Sequence, residues 1–228
     1  MKYKLILFDA DDTLLDFVKS EKVSFSILLK QYGIKRDLPA IFKTYRKISL
    51  DLWFKFERRQ VTLEEIRVDR FAKTFKIHQI GLDANKVGKA FLDILAQNVF
   101  LIKDAKQICK KIKKFSKVGI ITNGSKKVQK QRLAVSGLGK YIDFMVSSEE
   151  CKYSKPHPNF FECALKRARM SDRSKVLIVG DRLDADIRGA QNFGIDSCWY
   201  NPDGLPNKTD ATPNYEIKSL KQIFNILV

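Results

Sequence analysis

Four aspartates crowd into eight positions directly behind an apolar run in "LILFDADDTLLDF", Leu5 to Phe17: Asp9, Asp11, Asp12 and Asp16. Neighbouring carboxylates repel and raise one another's pKa. Such crowding at a strand end calls for a bound cation, a covalent duty for one carboxylate, or a solvated turn. Three later stretches bring further groups of the same kind. "KVGIITNGS" ends its apolar run on Thr122 and Asn123, "SKPHP" sets Lys155 just before a helix, and "VLIVGD" delivers Asp181, with Asp186 five positions on. Ligands of open parallel sheets sit beyond the carboxyl ends of the strands. On one such rim these stretches would assemble an acid pair, a hydroxyl with an amide, a lysine and a second acid pair.

Oxygen ligands without His or Cys suit a hard ion such as Mg²⁺, which keeps several waters and takes a few carboxylates. The expected metal set is Asp9, Asp11, Asp181 and Asp186. A lysine opposite those acids would hold a dianion such as a phosphate, and Thr122 with nearby backbone amides could donate to its remaining oxygens. A carboxylate can attack phosphorus and form an aspartyl-phosphate. A second acid two residues later can protonate the leaving oxygen and then activate water. This chemistry makes Asp9 the nucleophile, Asp11 the acid/base, and Thr122 and Lys155 their catalytic companions.

Several neighbours have humbler readings. Asp12 is expected to serve the turn or cap a helix, Thr13 to support Asp11 or pack locally, and Asp184 to cap the helix it begins. His157, between two prolines, is expected to pack its loop. Asn123 is either a turn former or a substrate contact. Phe17 lies where chain leaving the core passes the cleft, so it is a candidate substrate contact. Trp53 and Phe56 are bundle-core aromatics or base-stacking groups, and Trp53 stands as the third substrate-binding candidate beside Asn123 and Phe17.

The elements that must position these residues fall into two grammars. From about Lys19 to Lys103 the pattern is helical throughout. "EKVSFSILLKQYG" stops at Gly33. "DLPAIFKTYRKISLDLWFKFERR" aligns Ile41, Tyr45, Ile48 and Leu52. "TLEEIRVDRFAKTF" opens with a capping-box pair, Thr62 and Glu65, and Asp83 caps a segment with Val87, Phe91 and Ile94 as seam. Four amphipathic helices with short links predict an antiparallel bundle. Elsewhere strand alternates with helix, which implies right-handed crossovers and a parallel sheet, ending in a helix near Ile217 to Ile226. The expected fold is α/β, a doubly wound parallel sheet of Rossmann-like type, residues 1–15 and 104–228, carrying an inserted four-helix cap, residues 16–103.

Composition bounds the rest. The 228 residues are 44% hydrophobic and 30% charged, ordinary for a globular chain. No apolar run approaches the roughly 18 residues of a membrane span, and the first residues carry no cleavage-site pattern. Cys109, Cys151, Cys163 and Cys198 lack CxxC spacing and are expected to be reduced, mostly buried thiols of a cytoplasmic protein. The net charge of +17 could attract polyanions or phosphorylated substrates. Yet "KDAKQICKKIKKFSK" places Ile108, Ile112 and Phe115 on one stripe with a lysine-rich solvated back, so neither specific nucleic-acid binding nor membrane binding is expected.

"FDADDTLLDF", "ITNG", "SKPHP" and "VGDRLDADIRGA" together resemble the four ordered motifs of the haloacid dehalogenase (HAD) superfamily, and the helical insert after the first motif resembles its C1 cap. "LWFKFERRQVTLEE" and "CWYNPDGLPN…PNYEI" narrow the resemblance to the pyrimidine 5′-nucleotidase branch, over nearly the whole chain. That resemblance implies Mg²⁺-dependent hydrolysis of nucleoside 5′-monophosphates, non-standard pyrimidine ones included. The enzyme is expected in the cytoplasm, as a monomer or homodimer. Its cap would close over the cleft and read the leaving group. One departure is Arg182, where many relatives carry a small hydroxyl residue after Gly-Asp. Three alternatives remain: sugar-phosphate hydrolysis or mutase chemistry on the same machinery, a 2-haloacid dehalogenase, and a basic binding protein with a vestigial site. The dehalogenase needs neither metal nor Asp11.

Overall fold

Leu5–Asp9 (β1) is buried at all five positions, the pattern of a strand covered by helices on both faces. In the computed structural model, which describes residues 1–227, β1 lies inside a six-stranded, all-parallel sheet. The other strands are β2 (Lys117–Thr122), β3 (Phe144–Ser147), β4 (Val176–Gly180), β5 (Asp196–Tyr200) and β6 (Tyr215–Ile217), in spatial order β3-β2-β1-β4-β5-β6. The chain winds one way from β1 through β2 to β3 and then the other way from β4. The switch therefore falls between β1 and β4, where such sheets bind ligands.

The helices are α1 (Phe17–Gln31), α2 (Leu38–Glu57), α3 (Leu63–Ile77), α4 (Ala84–Gln97), α5 (Ala105–Ile112), α6 (Lys126–Val135), α7 (Ser148–Cys151), α8 (Pro158–Ala168), α9 (Arg188–Phe193) and α10 (Phe224–Leu227). The chain divides into two compact units, Met1–Phe17 with Phe100–Val228 and Val18–Val99. In the first unit Asp16 N donates to Phe100 O at 3.0 Å, which ties the outgoing strand end to the returning chain. Its core packs Phe160, Phe161, Ala164 and Phe193 against Leu5, Leu7 and Ile178 of the sheet.

The second unit is built on an aromatic cluster: Phe25 of α1, Tyr45 of α2, Phe71 of α3 and Phe91 of α4. Ring centroids are 4.6 Å apart for Phe25–Tyr45, 5.2 Å for Tyr45–Phe71 and 5.4 Å for Phe71–Phe91. The capping box at Thr62 and Glu65 forms, and Asp83 caps α4 by accepting from the amides of Asn85 and Lys86. Glycine at position 33 holds φ +80° just beyond α1, a conformation that side chains resist.

Three local expectations are corrected. The last segment is not one helix from Ile217: Tyr215–Ile217 adds an edge strand to β5, and 3₁₀ turn Leu220–Ile223 precedes α10. Three residues are too few for a period to show. Phe115 lies beyond the end of α5 and is 37% exposed, while Ala105, Ile108, Cys109 and Ile112 form the buried stripe. Finally, two of the four cysteines are not thiols. Cys151 at the end of α7 and Cys163 on α8 form a disulfide with Cα atoms 5.9 Å apart, whereas Cys109 and Cys198 are free and buried. The loop between α7 and α8 folds those helices together, a proximity that a twelve-residue separation does not announce. No helix among the described residues is long and apolar enough to cross a membrane.

Candidate active site

Asp9 ends β1, the strand flanked by β2 and β4, and is almost fully buried. Lys155, in the loop before α8, donates from Nζ to Asp9 Oδ1 and, at 2.7 Å, to Asp186 Oδ1. A carboxylate oxygen from each of Asp9, Asp181 and Asp186 falls within 4.8 Å of the other two. Asp181 follows β4 directly, and Thr13 Oγ1 donates to its Oδ1 at 3.1 Å. Asp186 reaches the group through a single π-helical turn, Leu183–Ile187, a device common at functional sites. Gly180 makes room for it: a Cβ there would lie 2.4 Å from Asp186 Cγ. The Arg182 amide donates to Asp186 Oδ2 at 3.2 Å, and the Arg182 guanidinium pairs with Asp184 at 2.7 Å. Asp184 thus meets the arginine rather than capping the turn, whose side-chain cap is absent.

The electrostatics follow from three acids facing one lysine in a buried place. Burial pushes Asp9 up to about 7; Lys155 opposes the shift, while the charges of Asp186 and Asp11 add to it. Burial also drives Asp181 well above the usual carboxylate range, reinforced by Asp9 and Asp186. Lys155 is pulled down by burial, but Asp186 and Asp9 more than offset this and hold its ammonium above the usual lysine range. The cluster therefore lacks positive charge. A hard divalent cation on these oxygens would supply it. The all-oxygen donor set fits Mg²⁺.

Asp11 turns elsewhere. Its Oδ2 accepts from Gln129 Nε2 at 2.6 Å and its Oδ1 from Arg132 NH1, so its carboxylate stands outside the three grouped acids. Thr122, the last residue of β2, is 1% exposed. Its Oγ1 accepts from Gln129 Nε2 at 3.1 Å and from the Gly124 amide at 3.0 Å. Asn123 grips the backbone of Lys155 on both sides: Nδ2 donates to Lys155 O at 3.1 Å, and Oδ1 accepts from Lys155 N at 2.8 Å. Its amide thus positions the lysine. Asp12, at φ +57°, accepts from the Phe17 amide at 2.9 Å and caps the start of α1. The Phe17 ring lies 5.4 Å from Arg132 Cζ. His157 Nδ1 accepts from the Asn159 amide at the start of α8, and its ring lies 4.4 Å from Tyr153. Trp53 is half-buried on α2 of the second unit, edge-on to Phe56 at 5.7 Å.

Sequence reasoning overlooked Gln129 and Arg132. Their signal was available: both are polar, one turn apart on α6, in the helix that follows the strand ending in Thr122. Neighbours at i and i+3 share a helix face, yet both are buried, at 2% and 1% exposure. Paired burial of an amide and a guanidinium is unusual without a partner.

The profile of the haloacid dehalogenase-like hydrolases matches residues 6–200. Over 228 residues the chain is 34% identical to the pyrimidine 5′-nucleotidase PynA of Streptococcus pneumoniae, covering 100% of this chain and 96% of that one. It is 30% identical to the pyrimidine 5′-nucleotidase YjjG of Escherichia coli, covering 100% and 99%. The solved structure of the putative HAD-hydrolase YfnB from Bacillus subtilis, bound to magnesium, superposes with a TM-score of 0.92 at 31% identity, covering 100% of this chain and 99% of that chain.

Proposed function

The chain belongs to the haloacid dehalogenase-like hydrolases, and from that premise we propose that it is a Mg²⁺-dependent phosphomonoesterase acting on pyrimidine nucleoside 5′-monophosphates. The observation that carries the reading is Asp9 at the carboxyl end of β1, held by Lys155 and grouped with Asp181 and Asp186. Asp9, Asp181 and Asp186 would hold the ion, which when bound supplies positive charge to the cluster and to the phosphoryl oxygens.

The protein's own groups carry the steps. Lys155 neutralises phosphoryl charge, and Thr122 donates its hydroxyl hydrogen to a phosphoryl oxygen. An Asp9 carboxylate oxygen forms a bond to phosphorus as the bond to the leaving oxygen breaks, and Asp11 gives that oxygen its proton. Water then attacks phosphorus while Asp11 takes its proton. The bond to Asp9 breaks, releasing inorganic phosphate and restoring both aspartates. Asn123 fixes the backbone from which Lys155 reaches the site. The substrate class rests on the two nucleotidases that resemble the chain along its whole length. The cytoplasm is the expected location of such an enzyme.

The test is phosphate release from UMP, dUMP, dTMP and a set of sugar phosphates, each with Mg²⁺ and with EDTA. Turnover of the pyrimidine nucleotides in Mg²⁺ alone is expected. Inert nucleotides beside rapidly hydrolysed sugar phosphates would move the substrate class. Halide release from 2-haloacids in EDTA would overturn the chemistry.

A further inference from the structure

Arg132 is an expensive residue to keep where it is. Its side chain is 1% exposed, and its NH1 donates to Asp11 Oδ1 and, at 2.9 Å, to Gln129 Oε1. Among the described residues its Nε and NH2 are buried with no hydrogen-bond partner, which leaves desolvated donors unpaired. Its Cζ lies 5.4 Å from the centroid of the Phe17 ring. Gln129, in contrast, is fully used: Nε2 bridges Asp11 Oδ2 and Thr122 Oγ1, and Oε1 accepts from Arg132. Two residues one turn apart on α6 thus take one oxygen each of the same carboxylate. A buried ion pair is seldom retained for stability, since apolar replacements of similar volume are often neutral or better. Asp11 is itself 28% exposed, so solvent could meet the hydrogen-bonding needs of its oxygens without these two residues.

We infer that Gln129 and Arg132 are positioning residues that fix the direction of the Asp11 carboxylate, and through the shared Gln129 amide tie it to the Thr122 hydroxyl. The inference rests on the phosphomonoesterase reading and deepens it. Asp11 follows β1 by two residues in a turn, and among the described residues its carboxylate is held by Gln129 and Arg132. Proton transfer demands hydrogen-bond reach of the leaving oxygen, and a misplacement of about 1 Å costs about 100-fold. The clamp supplies that constraint from the neighbouring crossover helix. The Gln129 amide joins acid/base and phosphate donor through one nitrogen.

Arg132→Met preserves volume, and Gln129→Glu preserves shape while replacing the bridging donor by an acceptor. Both are compared with wild type and Arg132→Lys in Mg²⁺ on two substrates. UMP has a poor leaving group that needs a proton; p-nitrophenyl phosphate has a good one that does not. Expected for Arg132→Met and Gln129→Glu is a fall in kcat of about 100-fold on UMP with KM within about threefold. The p-nitrophenolate burst should stay within about fivefold of wild type, followed by slow turnover as water activation lags. Arg132→Lys should recover at least about tenfold of the UMP loss, and Arg132→Met should melt within about 3 °C of wild type. Equal losses in UMP turnover and in the p-nitrophenolate burst rate, or a collapse in melting temperature that Arg132→Lys reverses without changing the ratio of those two rates, would mark the clamp as structural and overturn the inference. A wild-type enzyme inert toward every phosphomonoester would instead sink the underlying reading, and the clamp's catalytic duty with it.

Discussion

The two units bury charge in opposite ways. In the helical unit Glu21 is fully buried, accepts from Arg46 NH1 at 2.6 Å and from Tyr45 Oη at 3.2 Å, and faces Arg70. Arg70 in turn lies over aromatic faces, its Cζ 4.8 Å from the Phe91 centroid, a favourable place for a cation. There one acid meets two arginines. At the rim of the α/β unit, three acids meet one lysine. Burial raises the pKa of both Glu21 and Asp9, but two arginines oppose the shift at Glu21, whereas at Asp9 one lysine opposes it and two further acids add to it. A charge network that closes on protein atoms alone serves the fold. One left with a deficit of positive charge is arranged for something that arrives from outside.

The sharpest way to break this contrast is to neutralise one acid in each region. Asp9→Asn should abolish phosphate release by about 10⁴-fold or more while leaving the fold intact, with metal-free melting unchanged or higher. Glu21→Gln should do the reverse. It strands the buried Arg70 and the half-buried Arg46 and should cost about 3–5 kcal/mol of stability, seen in denaturant unfolding, while kcat of the folded fraction holds. If Asp9→Asn destabilises as much as Glu21→Gln, the rim is a structural ion network and the contrast fails.

A smaller effect is expected at the bracket around Lys155. The Cys151–Cys163 bond encloses the loop that carries this lysine. Reduction should lower stability by about 2–3 kcal/mol through a freer unfolded chain, measurable by unfolding with and without a thiol reductant. An unchanged midpoint would show that the two cysteines are not bonded in solution. Smaller again is Gly180→Ala. The added methyl must displace the Asp186 carboxylate, and Mg²⁺ affinity should drop about 10- to 100-fold by titration calorimetry, with unfolding little changed.

The smallest effect is a pH dependence. Folded Asp9 titrates at about 7, above its ordinary value of 3.8. Between those values the folded state holds a proton that the unfolded chain has released, so stability must fall as pH rises through that window. In EDTA the melting temperature should drop more between pH 4 and 7 than it does in Mg²⁺, where the cation takes the proton's place. Parallel curves in the two buffers would mean that no cation binds these carboxylates.

How much of this was legible beforehand differs by the kind of constraint. The alternation of apolar runs with helical patterns identified the parallel sheet, because strands covered on both faces must be apolar throughout, as β1 and β4 are. Asp9, Thr122 and Asp181 declared themselves as polar residues at the ends of such runs, where the backbone alone decides the address. The capping box at Thr62 is likewise local chemistry within four residues. By contrast, β6 is three residues long and owes its state to pairing with β5, so its own sequence carries no strand period.

Side-chain partnerships were the least legible. Asn123 looked like a turn residue or a substrate contact, but its amide holds the backbone of Lys155, a residue 32 positions away. Gln129 and Arg132 looked like ordinary polar positions of an amphipathic helix until α6 packed them onto Asp11, more than a hundred residues earlier. Asp11 was expected among the metal ligands, yet both of its carboxylate oxygens accept from that helix. Sequence by itself determined the strand ends, the caps and the chemical types that meet at the rim, since these follow from local periodicity and from where strands must stop. Only the tertiary structure decided which donor each oxygen receives, which cysteines bond, and which of the two buried charge clusters is left short of positive charge. Those outcomes depend on distances between segments far apart in the chain, and no local pattern encodes such distances.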